Sequence, residues 1–156
     1  MTGYQARLAA PLAVLGIRVE AGALTAIDFL PLDTAARAPQ TFLAREICRQ
    51  LHAYLANPRY VFDLPLRPAG TPFQQRVWRE MTRIGSGEVR RYGELAQALD
   101  SSPRAVGGAC GANPVPLVIP CHRVVGKNSV GGFMRGREAG PLAIKHWLLR
   151  HEARRD

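Results

Sequence analysis

The sequence predicts an α/β (α+β) protein in which a small αβ lobe is followed by a mainly helical lobe containing a helix-turn-helix. Three observations carry that prediction. Two apolar segments, Leu15–Val19 and Leu24–Leu30, flank the hairpin signal Glu20-Ala21-Gly22-Ala23 and precede a segment of helical period. Residues 71–112 then read as three short helices, each with its own start signal. Between the two patterns stands the proline- and glycine-rich stretch Pro65-Leu66-Arg67-Pro68-Ala69-Gly70. It divides the chain into lobes at 1–66 and 71–156, with a linker at about 65–70.

In the first lobe, Thr41 to Leu55 carries Phe42, Ile47, Leu51 and Leu55 near helical spacing and is stopped by Asn57-Pro58. Cys48 on this helix reads as a small packed hydrophobe. In the second lobe, Thr71 can cap a helix, Pro72 suits its first position and Gln74 completes a capping box. Phe73, Val77, Trp78, Met81 and Ile84 form its apolar stripe, and Gly85-Ser86-Gly87 ends it. Trp78 reads as core. A second helix covers Tyr92–Leu99, with Leu95, Ala96 and Leu99 on one face. After the turn Asp100-Ser101-Ser102, Ser102-Pro103 starts a third helix through about Ala112. This third helix contains Gly107, Gly108 and Gly111, each costing up to about 1 kcal/mol relative to alanine. Close approach to another backbone, such as a groove wall or a neighbouring helix, would offset that cost, and so would tight packing against the first lobe, on the same helix's other face. Cys110 on the same helix reads as buried and inert.

Composition bounds the function. With 47% hydrophobic and 21% charged residues in a chain of 156, a disordered or fibrous protein is excluded. The 21 Lys+Arg against 12 Asp+Glu give a formal charge of +9, and only Lys127 and Lys145 are lysine. Such a surplus suits a polyanionic partner, or an arginine-rich proteome. Residues 1–70 hold seven arginines and five carboxylates, residues 71–156 fourteen cations and seven carboxylates, so the field is concentrated in the second lobe. Three cysteines are an odd count without paired spacing, which points away from a disulfide framework and toward a reducing, cytoplasmic setting. The cysteines and the four histidines show no zinc-site spacing, so no structural metal is expected. Arg7, the apolar Leu8–Ile17 and the small residues at Ala21–Ala23 imitate a secretory leader, but Pro11, Arg18 and Glu20 break its pattern. No apolar stretch approaches the roughly 20 residues needed to span a bilayer, and no membrane association is expected.

The chemistry concentrates at Asn113-Pro114-Val115-Pro116-Leu117-Val118-Ile119-Pro120-Cys121-His122-Arg123-Val124. Three prolines preclude a helix through most of it, and an extended segment delivers one cysteine followed by histidine and arginine. Thiolate is the nucleophilic form, and both neighbouring cations are candidates to lower the thiol pKa. In an extended chain adjacent side chains point to opposite faces, so a proton would pass from Cys121 to His122 through a water.

This stretch closely resembles the active-site signature of the O6-alkylguanine-DNA alkyltransferases, the methylated-DNA–protein-cysteine methyltransferases. Further blocks resemble the family in family order: Thr71-Pro-Phe-Gln-Gln-Arg-Val-Trp, Tyr92-Gly-Glu-Leu-Ala, Arg104-Ala-Val-Gly and Lys145-His-Trp-Leu-Leu-Arg-His-Glu. The first lobe resembles it loosely, as a ribonuclease-H-like αβ lobe. The resemblance implies direct-reversal DNA repair: irreversible, stoichiometric transfer of a methyl or larger alkyl group from O6 of guanine, with O4 of thymine as an alternative donor, to Cys121. His122 would take the thiol proton, Glu152 would hold and polarise His122, and Asn113 would brace the loop. Tyr92 would donate its hydroxyl to the leaving purine.

The resemblance also implies that the target nucleotide leaves the stack. Arg104 would fill the vacated space, and the small residues Ala105 and Gly107 would let the helix lie in the minor groove. Arg123 would join the DNA contacts. The guanine pocket would comprise Tyr92, Val124, Phe133 and Met134. Binding to double-stranded DNA containing O6-alkylguanine would carry little sequence specificity, and the protein would act as a monomer without cofactor or metal. The chain departs from the family at Gly132-Phe133-Met134-Arg135-Gly136, where a run of smaller residues is usual, and at 137–141, which reads as an insertion. An arginine common in the family is absent near Gly111-Ala112. By residue type alone Glu152 is a solvated tail residue, and His146 and His151 are surface residues beside an apolar face through Ile144, Trp147 and Leu148.

Three rival readings remain at this point. A non-catalytic alkyltransferase-like lesion-binding protein commonly carries tryptophan at the acceptor position. A helix-turn-helix regulator would have no use for the Pro-Cys-His-Arg loop. A thiol hydrolase is disfavoured by the adjacent cysteine and histidine.

Overall fold

The structure, a computed structural model, describes residues 3–132 and 139–154. Phe133, Met134, Arg135 and the first two residues of the 137–141 stretch therefore lie outside the described residues. The chain divides into two compact units, Met1–Ala69 and Gly70–Asp156.

The first unit is a three-stranded antiparallel sheet carrying one helix. Strands β1 (Ala6–Ala9), β2 (Val14–Glu20) and β3 (Ala23–Leu30) lie in the order β1-β2-β3. The hairpin between β2 and β3 turns at Ala21 (φ 50°) and Gly22 (φ 77°), two successive left-handed residues whose twist matches the flanking strands. β1 occupies part of the leader-like apolar run, which is apolar because β1 and β2 face a core. Gly16 of β2 lies under the Tyr4 ring, where a Cβ would stand 2.6 Å from a ring carbon. Helix α1 (Phe42–Ala56) is capped by Thr41 and buries Ala44, Ile47, Cys48, Leu51 and Tyr54. Phe42, expected on its apolar face, is instead 81% exposed, because the first helical position projects away from that stripe. The expected linker is partly tied down: Leu24 donates to Pro65 O (2.8 Å) and Arg67 donates to Leu24 O (2.9 Å).

The second unit begins with α2 (Pro72–Met81), whose capping box forms as the residue types dictate. Gln74 N donates to Thr71 Oγ1 (3.1 Å), and Thr71 N donates to Gln74 Oε1 (2.9 Å). Its stripe of Val77, Trp78, Met81 and the following Ile84 is buried. A two-residue strand β4 (Arg90–Arg91) leads directly into α3 (Tyr92–Ala98); α4 (Pro103–Gly111) follows with Ser102 as its cap. Asp100 makes the turn between α3 and α4 at φ 54°, a conformation that a short polar side chain tolerates. Trp78 Nε1 donates to Ala109 O (2.8 Å) and joins α2 to α4; Arg76 reaches Leu99 O and joins α2 to the end of α3. The result is the expected helix-turn-helix on a scaffold helix. Strand β5 (Val124–Val125) pairs in parallel with β4, and α5 (Ala139–Glu152) closes the unit.

Candidate active site

The loop after α4 is compact rather than extended, which corrects the sequence expectation. Asn113 is its brace: Nδ2 donates to Ile119 O (2.8 Å) and Oδ1 accepts from Val115 N (2.9 Å). Ile119 N donates back to Val115 O, and Leu117 adopts φ 75°, a left-handed strain of roughly 1–2 kcal/mol for a residue with a Cβ. The prolines remove donors from a segment that is folding back on itself. Cys121–Arg123 then form a single 3-10 turn, so Cys121 and His122 do not alternate across a strand.

That turn and the last turn of α5 meet in the interior. Glu152, 1% exposed, accepts from His122 Nε2 through Oε2 (2.7 Å) and from Arg123 Nε through Oε1 and Arg123 Nη2 through Oε2, both at 2.9 Å. Arg123 Nη1 also donates to Ile84 O. Burial alone would raise the Glu152 pKa, but hydrogen bonds from His122 and Arg123, with the Arg123 charge, hold it well below the usual carboxylate range. For His122 the order is reversed. Burial lowers its pKa and outweighs the Glu152 contact, so the ring is neutral. A neutral ring facing a carboxylate carries its proton on Nε2, which leaves Nδ1 as a bare acceptor. Nδ1 is the buried side-chain atom without a hydrogen-bond partner among the described residues.

Cys121 is 3% exposed. Burial pushes its thiol up to about 11, against opposing contributions from the Asn113 side chain, the Lys145 charge and a backbone hydrogen bond. The expected cationic help from His122 and Arg123 is absent, because one is neutral and the other is paired with Glu152. Arg123 is accordingly corrected from a DNA contact to an interior residue that fixes Glu152. Cys110 is also buried, near Met81, with its thiol pushed up to about 12 by burial.

Lys145 is the residue that sequence reasoning left without a role. It is fully buried, and Nζ donates to Val124 O (2.8 Å) and Gly132 O (2.9 Å) while lying 5.9 Å from the centre of the Tyr92 ring. The available signal was its type, a lysine in a chain that otherwise uses arginine almost throughout. Tyr92 is half-buried at the start of α3, brought there by the pairing of β4 with β5. Its ring covers Gly131 (φ +77°), where a Cβ would stand 2.8 Å from a ring carbon, so no larger residue fits. The buried Val124 shows both backbone groups engaged: its N–H donates to Cys121 O and its carbonyl accepts from Lys145. Phe133 and Met134 lie outside the described residues.

Beside this centre a cleft of about 480 Å³ is lined by Arg91, Tyr92, Gln97, Pro103, Gly126 and Lys127, among others. Arg104 and Ala105 are exposed at the start of α4. Gly107 and Gly108 have nothing within 4 Å of where a Cβ would be. Among the described residues of the second unit, neither glycine is held by a close packing contact at its Cβ position. His151, expected at the surface, is buried and stacks on Trp147 at 4.8 Å, because the inward face of α5 runs through Lys145, Leu148, His151 and Glu152. Among the described residues no group of three or more His, Cys, Asp or Glu could hold a metal, and no helix is long and apolar enough to cross a membrane.

Residues 72–154 match the family described as 6-O-methylguanine DNA methyltransferase, DNA binding domain. The methylated-DNA–protein-cysteine methyltransferase of Archaeoglobus fulgidus is 48% identical over 108 residues, covering 69% of this chain and 74% of its own length. Among the curated relatives the matched stretch spans from 60% to 80% of the relative's length. The solved O6-methylguanine methyltransferase of Mycobacterium tuberculosis superposes with a TM-score of 0.82 at 32% identity, over 98% of this chain and 93% of that one. A Mycobacterium tuberculosis OGT structure in complex with DNA gives a TM-score of 0.77 at 34% identity, over 94% and 91%.

Proposed function

Because the chain belongs to the 6-O-methylguanine DNA methyltransferase family, we propose that it repairs DNA by direct reversal, as a methylated-DNA–protein-cysteine methyltransferase with Cys121 as acceptor. The observation that carries the reading is the buried Glu152–His122 hydrogen bond, which leaves the other imidazole nitrogen bare on the residue that follows a buried, protonated thiol in the chain.

The steps follow from the residues. His122 Nδ1 takes the thiol proton, directly or through a water, and Glu152 stabilises the imidazolium that results. The thiolate attacks the alkyl carbon on O6 of guanine; a carbon–sulfur bond forms as the carbon–oxygen bond breaks. The electron pair passes to the purine, which regains a proton and departs as guanine. Tyr92 donates to the purine as charge builds on it, and Lys145 favours the thiolate across the site. Cys121 keeps the alkyl group, so each molecule acts once. Asn113 holds the loop that presents the sulfur, and Val124 forms part of the pocket wall.

Substrate access requires the nucleotide to leave the duplex. Arg104 occupies the vacated space, and α4 enters the minor groove along Ala105 and Gly107, whose small side chains leave open ground. Binding is monomeric and rests on phosphates, as the excess of cations in residues 71–156 suits. These residues form the DNA-binding and acceptor domain and 1–66 a separate lobe. Three buried, unpaired cysteines suit a reducing cytoplasm.

The test is intact-mass analysis after incubation with duplex DNA carrying O6-methylguanine. One methyl mass per molecule, mapped to Cys121 and absent in Cys121→Ala, is the expected result. Repeated turnover, or a methyl on Cys48 or Cys110, overturns it.

A further inference from the structure

Arg7 and Arg37 face each other in the first unit across an antiparallel bridge. Arg7 N donates to Arg37 O and Arg37 N donates to Arg7 O, each at 3.0 Å. Directly opposed residues of such a pair project from one face, and like charges placed that way oppose folding. Two other arginines of this unit are paired, Arg18 with Asp28 and Arg49 with Glu46. Neither Arg7 nor Arg37 forms an ion pair among the described residues.

The two arginines border a cleft of about 300 Å³ with Gly3, Tyr4, Gln5 and Gln40, and no carboxylate among the described residues lines it. Its polar groups are set as donors. Arg7 Nε donates to Ala35 O (2.8 Å), which anchors the guanidinium, and its terminal nitrogens make no hydrogen bond among the described residues. Gln5 Oε1 accepts from Val19 N (2.7 Å), so its amide NH₂ remains to donate. Gln40 Nε2 donates one hydrogen to Ala38 O (3.1 Å) and keeps the other. A planar guanidinium fork matches phosphate oxygens, and an anion between the two forks removes their repulsion.

We propose that this cleft binds a phosphate group, free or as a phosphodiester of nucleic acid, between Arg7 and Arg37 with Gln5 and Gln40 as amide donors. It lies outside the matched residues 72–154 and does not depend on the assignment of Cys121.

The full chain is titrated with inorganic phosphate, and with sodium chloride at equal ionic strength, while backbone amide resonances are followed. Phosphate is expected to shift residues 4–7 and 37–40 where chloride does not. In Arg7→Gln/Arg37→Gln its affinity falls about tenfold or more. Arg37→Gln alone, at an exposed position, repeats the test without touching β1. A second arm measures duplex binding against salt. If the phosphate belongs to nucleic acid, the slope of log affinity on log salt becomes shallower by about 0.9 for each arginine–phosphate pairing that the substitutions remove. An unchanged slope together with an abolished phosphate response assigns the cleft to free phosphate. Equal shifts by chloride, or a double variant that still responds to phosphate, overturn the proposal.

Discussion

In the first unit the interior is Leu15, Ile17, Leu24, Ile27, Ile47 and Leu51, and the ion pairs Arg18–Asp28 and Arg49–Glu46 stand at the surface. In the second unit the interior also contains His122, Arg123, Lys145 and Glu152. Burying charge is expensive, and a buried ion pair is often no more stable than well-packed hydrophobes of the same volume. The second unit therefore holds a network that folding alone does not require. The thiols make the same point. Cys48 sits in an apolar setting where burial is the sole cause of its raised pKa; Cys121 is raised by burial but opposed by Asn113, Lys145 and the backbone. The packed cysteine and the proposed acceptor differ in their surroundings, not in exposure.

The comparison can be broken most sharply by removing one member of the network. His122→Gln is expected to slow methyl transfer by about 10²–10⁴-fold while the first unit is untouched, as single-turnover kinetics on labelled duplex would report. A rate within a few-fold of wild type would show that the buried imidazole is structural. Glu152→Ala leaves Arg123 buried without its partner and should destabilise the fold by about 3–5 kcal/mol in denaturant unfolding. Leu51→Ala, in the apolar interior of α1, should lose a comparable 2–5 kcal/mol or so while the protein that remains folded still transfers methyl to Cys121. Arg49→Ala, at the exposed pair with Glu46, should change stability by less than about 1 kcal/mol.

Acid sharpens the contrast. The folded pKa values of His122 and Glu152 are both depressed, so each favours the fold at higher pH and loses that contribution as pH falls. The loss begins for His122 below its ordinary 6.5 and for Glu152 below 4.5. Thermal melts between pH 8 and pH 4, taken at about two-unit steps, should show falling stability in wild type and a flatter profile in His122→Gln.

Much of the fold was legible in residue order because local physics sets it. The left-handed pair Ala21-Gly22, the Thr71-Gln74 box and the Ser102-Pro103 start act within a few residues of themselves, and each is where its types require. The first strand was less legible, since a short apolar run resembles a leader until its partner is known. Cys121, His122 and Asn113 lie close together in sequence and could be read as one motif. Arg123 could not be assigned to the interior, because its partners Ile84 and Glu152 come from distant segments.

The sequence by itself determined the elements, the unequal distribution of charge and the short motif that holds the proposed acceptor, all properties of residues and near neighbours. Only the tertiary structure decided which charges are buried and against what. It paired Glu152 with His122 thirty residues away, neutralised Arg123, and set Lys145 rather than Arg123 as the cation felt by the thiol. The reason is physical. The pKa of a group and the meaning of a charge depend on desolvation and on neighbours within a few ångströms, and those neighbours are chosen by packing rather than by position along the chain.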